Sequence, residues 1–450
     1  MLWFVEEVCY SYTMEPRIIP RHEHHISRKQ MSPNAVRTLY RLLQRGFIAY
    51  LVGGCVRDLL LKRTPKDFDI ATDATPGQVR RLFRNCRLIG RRFRLAHLHF
   101  QDEIIEVATF RKSARTSDDL DTEELGEDNR PFRHVKDADG MVVSDNVFGT
   151  PEEDALSRDF TVNALFYNIA DFSVIDYSTG LNDLEERLIR LIGDPYIRFT
   201  EDPVRMLRAI RFAASHGFTI ETSAWQALSE LSSTISRVPT SRLYEEIQKV
   251  FLFGTARPAL NLMNTSGLVA ALFPGLNSWI LKDYNHFRLI EANLQALDEL
   301  HKSGAPASMA LCLAALFGPA LEEEALERTR DGIPRQQALD SVCTDFMEEA
   351  RRTVCIPGRV GSGLRAILGI QPALHRMPPR RPLVIAGRRE FAEGLAYLRL
   401  VSETRRENER TLGWWDAFRA NVPLPPTEQS GDEATPKKRS RKRRRRRRDA

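Results

Sequence analysis

The sequence lacks the marks of several large protein classes. Its 6 cysteines among 450 residues (Cys9, Cys55, Cys86, Cys312, Cys343, Cys355) stand far apart. There is no CxxC pair and no clustered Cys/His spacing. A zinc site and a disulfide framework are therefore not indicated, and reduced thiols in a cytoplasmic protein are expected. No apolar run approaches the roughly 20 residues that cross a bilayer. The opening MLWFVEEVCYSYTMEPR is apolar, but it carries Glu6 and Glu7 and no basic leader, which argues against a signal peptide and leaves Met14 as an alternative start to Met1. No fixed-period repeat is visible. Aromatic residues make up only 8%, but 42% hydrophobic and 28% charged residues rule out a wholly disordered or fibrous chain. The length exceeds one ordinary core and allows two to four domains.

Charge is unevenly spread. The formal net charge is +6, from 66 Lys+Arg against 60 Asp+Glu. Residues 437–450, KKRSRKRRRRRRDA, hold 11 of those bases and one acid, which leaves 55 bases against 59 acids in the preceding 436 residues. The chain thus reads as a slightly acidic body with a strongly basic tail. Residues 117–129 (SDDLDTEELGEDN) hold seven acids and no base, and 112–145 reads as a long loop.

The pattern along the chain predicts an α+β protein. Residues 34–46 have helical spacing and end at Gly46. FIAYLVGG reads as a strand stopped by two glycines, VRDLLLKR as a short helix and KDFDIAT as a second strand. Thr75 and Pro76 open another helix. RLIGRRFRLAHLHF and EIIEVATFR read as neighbouring strands. After DALSRDFTVNALFYN the strand signals fade, and from EDPVRMLRAIRFAASHG to about 420 the pattern is helical with Gly/Pro breaks. Residues 421–436 form a Pro-rich linker to the basic tail.

One constellation carries chemistry. Asp67 and Asp69 lie two apart in a predicted strand, so both carboxylates project from one face, an arrangement suited to divalent cations that also take phosphate oxygens. Gly53 and Gly54 precede a helix, where bare backbone lets phosphate oxygens approach N–H groups. In EDPVRMLRAIRF, Arg205, Arg208 and Arg211 recur every third residue. Three residues turn a helix by about 300°, so the row drifts slowly along one side.

LVGGCVRDLLL, KDFDIAT, IEVATFR, SRDFTVNALFYN and EDPVRMLRAIRFA, in that order, resemble the nucleotidyltransferase superfamily with the polymerase-β-type palm. More narrowly they resemble the class II tRNA nucleotidyltransferases and bacterial poly(A) polymerases. The resemblance implies an N-terminal palm, a small mixed sheet with helices, followed by an all-α neck and body. The implied segments are an extension at 1–33, the head at 34–190, a nucleotide-selecting neck at 191–255, an RNA-binding body at 256–420, and linker plus disordered basic tail at 421–450. It also implies roles. Asp67 and Asp69 would hold Mg²⁺, with Asp159 as a third acid and Glu106 as the alternative for that place. Gly53, Gly54 and Arg57 would lie on the phosphate side, and Arg111 and Asn163 would contact ribose and triphosphate. Asp202 and Arg205 would read the adenine edge, while Arg208 and Arg211 would face phosphates. The expected reaction is attack of an RNA 3′-hydroxyl on the α-phosphorus of ATP, with pyrophosphate leaving.

Two features resemble the poly(A) branch rather than the CCA-adding branch. IGRRFRLAH carries Arg91, Arg92 and Arg94. The tail carries Lys437, Lys438, Arg439, Arg441, Lys442, Arg443 and Arg444 among its bases, which would bind RNA phosphates without reading sequence. No HD dipeptide marks the phosphohydrolase domain fused to some CCA-adding relatives. RNA-decay proteins are expected partners. Trp414 and Trp415 are expected to pack between helices rather than stack on bases.

Overall fold

The computed structural model describes residues 15–90, 94–112, 134–136, 142–145, 148–305, 307–405 and 407–421. The acidic run at 117–129, the first 14 residues, Arg91, Arg92 and the basic tail lie outside these.

Strand β1 (Arg17–Ile19) precedes helix α1 (Pro33–Gln44). The Ser32 hydroxyl caps α1 by accepting from the Asn34 and Ala35 N–H groups. Next come β2 (Ala49–Val52), α2 (Gly54–Leu60), β3 (Asp69–Thr72) and α3 (Pro76–Leu82). Thr75 caps α3 through a reciprocal pair with Gln78, and Pro76 occupies the first turn. Strands β4 (Cys86–Ile89), β5 (Leu95–His99) and β6 (Ile104–Thr109) form antiparallel neighbours. A separate antiparallel pair, β7 (His134–Lys136) and β8 (Val142–Asp145), follows. Helix α4 (Pro151–Ser157) then leads to β9 (Leu165–Asn168) and β10 (Val174–Asp176).

Eight of these strands make one mixed sheet in the order β1-β10-β9-β2-β3-β6-β5-β4. Every neighbouring pair is antiparallel except β3–β6. Because side chains alternate along a strand, the sheet has two distinct faces. Leu51, Ile70, Ala96, Leu98, Ile105 and Val107 enter the main core. Val52, Ala71, Phe110 and Phe166 build a smaller core on the other side. That second face is only partly covered, and it carries the acids described below.

The chain continues through α5 (Gly180–Glu185), β11 (Leu188–Ile189), α6 (Pro195–Glu201) and α7 (Val204–His216). Gly217 ends α7 at φ +67°, a left-handed conformation that glycine adopts without a Cβ penalty. Strand β12 (Thr219–Ile220) pairs in parallel with β11, and α8 (Thr222–Leu231) and α9 (Thr240–Phe251) complete this region. From Ala256 to Asn421 the described residues form helices only. One core runs through all these parts: Leu51 of the sheet, Leu207 of α7 and Leu316 far downstream belong to the same apolar cluster. Trp415 is fully buried in a second cluster, where its indole N–H donates to the Leu374 carbonyl at 3.0 Å. Trp414 stacks on Phe418 one turn on in the same helix and lies partly buried against that cluster. Among the described residues no helix is long and apolar enough to cross a membrane.

The structure differs from the sequence reading in four places. Arg17–Ile19 is an edge strand paired with β10, so part of the expected extension at 1–33 belongs to the sheet. Strands β10, β11 and β12 lie where strand signals fade. The β7–β8 pair falls inside the stretch read as a loop. Strand β3 begins at Asp69, and Asp67 precedes it in exposed, non-strand backbone. Segments of two to four residues are too short to show a period, so pairing partners decide them.

Candidate active site

The site is built where β2 and β3 lie side by side. Val52 pairs with Asp69 across β2–β3 and with Phe166 across β2–β9. Gly53 therefore leaves the sheet beside Asp69. It has φ +76° and its N–H donates to the Leu165 carbonyl at 3.1 Å. A Cβ here would come 3.0 Å from Arg158 Nη1. The glycine thus serves both the sharp turn into α2 and the close approach of a cation. Gly54 is the first residue of α2.

Arg57, buried in α2, binds its surroundings rather than solvent. Its Nη1 donates to Asn163 Oδ1 at 2.6 Å, and its Nε and Nη2 donate to Asp58 Oδ1 at 2.9 and 2.8 Å. Its guanidinium lies 5.0 Å over the Phe212 ring of α7. Arg57 and Asn163 are therefore one hydrogen-bonded unit beneath the glycine turn.

The acids separate into two groups. Asp69 lies opposite Glu106 in the parallel β3–β6 register, and directly opposed side chains share a sheet face. Burial pushes the Asp69 carboxyl up to about 6, the negative charges of Glu106 and Asp67 add to the effect, and Arg158 opposes it. Asp159 is tied elsewhere. Its Oδ2 accepts from Arg208 Nε at 2.7 Å and its Oδ1 from Asn163 Nδ2 at 3.3 Å. Burial alone would raise this carboxyl, but the Arg208 guanidinium, helped by Arg205 and Asn163, holds it at about 2. The structure thus brings Glu106 next to Asp69 and gives Asp159 to an ion pair between head and α7. Beside Glu106 in β6, Ile105 is fully buried in the main core, while Ile104 is 46% exposed.

Asp69 is crowded by acids, and burial with their charge makes its carboxyl easier to protonate than an ordinary aspartate. Carboxylate oxygens in such a cluster are hard donors lacking positive charge, the donor set that Mg²⁺ takes together with phosphate oxygens. Among the described residues no three His, Cys, Asp or Glu side chains converge as a finished metal cage. The residues fit a cation whose coordination is completed by substrate.

Arg208 and Arg211 of α7, which the resemblance would set facing phosphates, lie beside acids in this structure. Arg208 pairs with Asp159, and Arg211 Nε lies 3.6 Å from Glu246 Oε2 of α9. Arg205 Nη1 donates to the Arg198 carbonyl at 2.7 Å and lies 3.4 Å from Glu201 Oε2. Asp202 is clamped by α9: Arg242 Nη1 donates to its Oδ1 at 2.9 Å and Nη2 to its Oδ2 at 2.7 Å. The residue before Val204 is Pro203, at the N-cap position, and Asp202 closes α6. Arg111 is half-buried just after β6, its backbone N–H donating to Asp154 Oδ1 at 3.1 Å. Arg94 is exposed ahead of β5.

Comparison with known proteins decides the family. A model described as the poly A polymerase head domain matches residues 49–190. Models described as a probable RNA and SrmB-binding site of polymerase A and as a polymerase A arginine-rich C-terminus match 217–280 and 331–449. Poly(A) polymerase I of Salmonella typhi is 40% identical over 434 residues, covering 94% of this chain and 90% of its own. The chain belongs to the bacterial poly(A) polymerase family. The poly(A) polymerase I of Haemophilus influenzae is 36% identical over 90% of the chain and 88% of its own length. The CCA-adding enzyme of Bacillus subtilis is 36% identical over 54% of the chain and 55% of its own. Among solved structures, the Bacillus stearothermophilus CCA-adding enzyme in complex with CTP aligns over 88% of the chain and 84% of its own, at TM-score 0.57 and 26% identity. The fold is that of the nucleotidyltransferases.

Within this poly(A) polymerase family member, several residues around the site escaped sequence reading. Arg158 stands directly before Asp159. It pairs with Asp154 at 2.9 Å and lies against both Gly53 and Asp69. Its signal was its place in SRDFTVN, next to the acid that drew notice. Arg198 is buried, donates to the Ser157 carbonyl at 2.9 Å and pairs with Glu201 at 3.0 Å. Neither Arg198 nor Arg242 differs in local pattern from a surface arginine.

Proposed function

We propose that the chain is a template-independent poly(A) polymerase that adds AMP from ATP to RNA 3′-hydroxyl ends and releases pyrophosphate, acting in the cytoplasm in RNA turnover. The observation that carries this reading is the in-register row of Asp69 and Glu106 beside the Gly53 turn, on a chain related to poly(A) polymerases over nearly its whole length. Asp67 and Asp69, with Glu106, would hold Mg²⁺, and Glu106 takes the third place in preference to Asp159. When bound, the ion lowers the pKa of the attacking hydroxyl and stabilises charge on the leaving pyrophosphate.

The chain's own residues supply position and selection. The Gly53–Gly54 backbone approaches the triphosphate, and the Arg57–Asn163 unit keeps that turn in place. Arg158 adds positive charge between the phosphate side and the acids. Arg111 contacts the ribose and triphosphate side. Arg205 offers donors to the ring nitrogens of adenine, and Asp202, fixed in plane by Arg242, presents an acceptor to its amino group. Arg94 with Arg91 and Arg92, and the basic tail, bind RNA phosphates. RNA-decay proteins are expected partners, and the match of 217–280 to a family model described as a probable RNA and SrmB-binding site supports RNA binding there.

The same-class rival is CCA addition, favoured by the CCA-adding enzymes among the structural neighbours. Protein, Mg²⁺ and a generic RNA are incubated with ATP alone or CTP alone, and a tRNA lacking its end is offered both. Long ATP-only tails support the proposal. Two C and one A added only to the tRNA would replace it with the rival, and absence of product throughout would remove both.

A further inference from the structure

We propose that His97 is a positioning residue for Glu106 in the adenylyl-transfer site. The inference rests on the reading of Glu106 as the third carboxylate. Three adjacent strands set the geometry. His97 of β5 pairs with Glu106 of β6, which pairs with Asp69 of β3. Residues directly opposed across a ladder project from one face with Cβ atoms about 4.5–5.5 Å apart. An imidazole, a carboxylate and a second carboxylate therefore stand in one row, on the sheet face turned away from the main core.

His97 Nε2 lies 3.3 Å from Glu106 Oε1. Among the described residues it is the only cationic or N–H-bearing side chain within ion-pair distance of that acid. The exposures are unequal: the imidazole side chain is 18% exposed and the carboxylate 46%. The ring is the fixed partner. Its flanking residues Ala96 and Leu98 are buried on the opposite face, and the His99 ring stands 6.4 Å away on its own face.

A half-exposed glutamate has three rotatable bonds, and its neighbour Asp69 repels it. Left alone, Glu106 would turn toward water. The His97 ring nitrogen, 3.3 Å from Oε1 on the far side of Glu106 from Asp69, would hold that oxygen and leave the other directed along the row toward the acids where the cation would sit. Outer partners of metal-binding groups act in this way, and losing one typically weakens metal affinity or activity 10- to 100-fold. As mere surface decoration the pair would contribute little, since exposed ion pairs are worth almost nothing in stability.

The test compares wild type with His97→Ala, His97→Gln and Glu106→Gln in the full chain. Mn²⁺ affinity is measured without nucleotide by electron paramagnetic resonance, and kcat and KM for ATP are measured on an RNA primer. A melting curve for each variant establishes that it folds. We expect Glu106→Gln and His97→Ala to weaken Mn²⁺ binding about tenfold or more, and His97→Ala to lower kcat similarly while KM for ATP stays within about twofold. His97→Gln keeps an N–H donor at comparable reach and should recover most of both. If Glu106→Gln is impaired while His97→Ala matches wild type, the positioning role is wrong and the reading of Glu106 survives. If Glu106→Gln itself changes neither quantity, that reading fails and takes the proposal with it. Equal impairment of His97→Ala and His97→Gln would also overturn the role of the donor.

Discussion

Removing the Arg208 side chain should destabilise the docking of α7 on the sheet domain far more than a surface arginine would. Asp159 is largely enclosed, and burial pushes its carboxyl upward, yet with Arg208 beside it the group titrates at about 2 rather than 3.8. That is nearly two units, and at about 1.4 kcal/mol per unit the ionised form gains about 2–3 kcal/mol in the folded protein. The carboxyl is lowered on folding, so this stability is present above the unfolded value and is lost as pH falls from about 4 toward 2. At neutral pH, Arg208→Met leaves a buried carboxylate without its partner, which costs about 3–5 kcal/mol. Asp159→Asn should cost less, because the amide still reaches Asn163 and Arg208. The double variant should recover part of the loss, giving a coupling of about 2–3 kcal/mol in a double-mutant cycle. Urea unfolding at pH 7.5, followed by intrinsic tryptophan fluorescence, measures all four proteins. The reasoning is refuted if Arg208→Met costs under about 1 kcal/mol. It is equally refuted if Asp159→Asn keeps full stability and binding yet abolishes turnover, which would put Asp159 at the reacting atoms.

Asp69→Asn should lower kcat about a thousandfold or more with a metal-free melting temperature equal to or above wild type, because it removes a crowded carboxylate whose role is to hold the catalytic cation. The carboxyl of metal-free Asp69 is raised to about 6, so protonation relieves the crowded acids below that pH and the apo protein loses this stabilisation as pH rises through it. Mg²⁺ needs the ionised form, so the melting shift caused by Mg²⁺ should be clear at pH 8 and fade below about pH 6, with more Mg²⁺ moving the fade to lower pH. Gly53→Ala should cost about 1–2 kcal/mol in urea unfolding from its positive φ, and should raise KM for ATP because the new methyl group displaces Arg158. Deleting 437–450 should weaken RNA binding and flatten its salt dependence, leaving the KM for ATP within about twofold; an unchanged salt slope would rule out phosphate binding by the tail.

Much of this was legible along the chain because it depends on neighbours in sequence. The glycine turn, the helix at 34–46, the helix start at Thr75 and the strand carrying Asp69 all follow from local sterics and hydrogen bonding. The segment β1 was not legible, because three residues form a strand only when an edge such as β10 accepts them. The arginines of α7 show a different limit. Their spacing correctly places Arg205, Arg208 and Arg211 along one helix, yet helix geometry says nothing about what the helix packs against. Arg208 meets Asp159 and Arg211 meets Glu246 because α4–β9 and α9 surround α7. A partly buried guanidinium is costly to leave uncompensated, and the carboxylates of neighbouring elements supply its partners here.

The acids divide in the same way. Sequence alone placed Asp67 and Asp69 two apart in one strand and Gly53 at the turn into a helix, both matters of backbone conformation over a few residues, although the strand begins only at Asp69. It put Asp159 forward as the third carboxylate, with Glu106 as the alternative. Glu106 is 37 positions beyond Asp69 and Asp159 is 90 beyond it, so neither spacing carries distance information. Only the parallel register of β3 and β6 set Glu106 opposite Asp69, and only the packing of α7 gave Asp159 to Arg208. Register and packing are chosen by the core as a whole, because a one-residue slip would send Ile105 and Val107 to solvent and Glu106 inward.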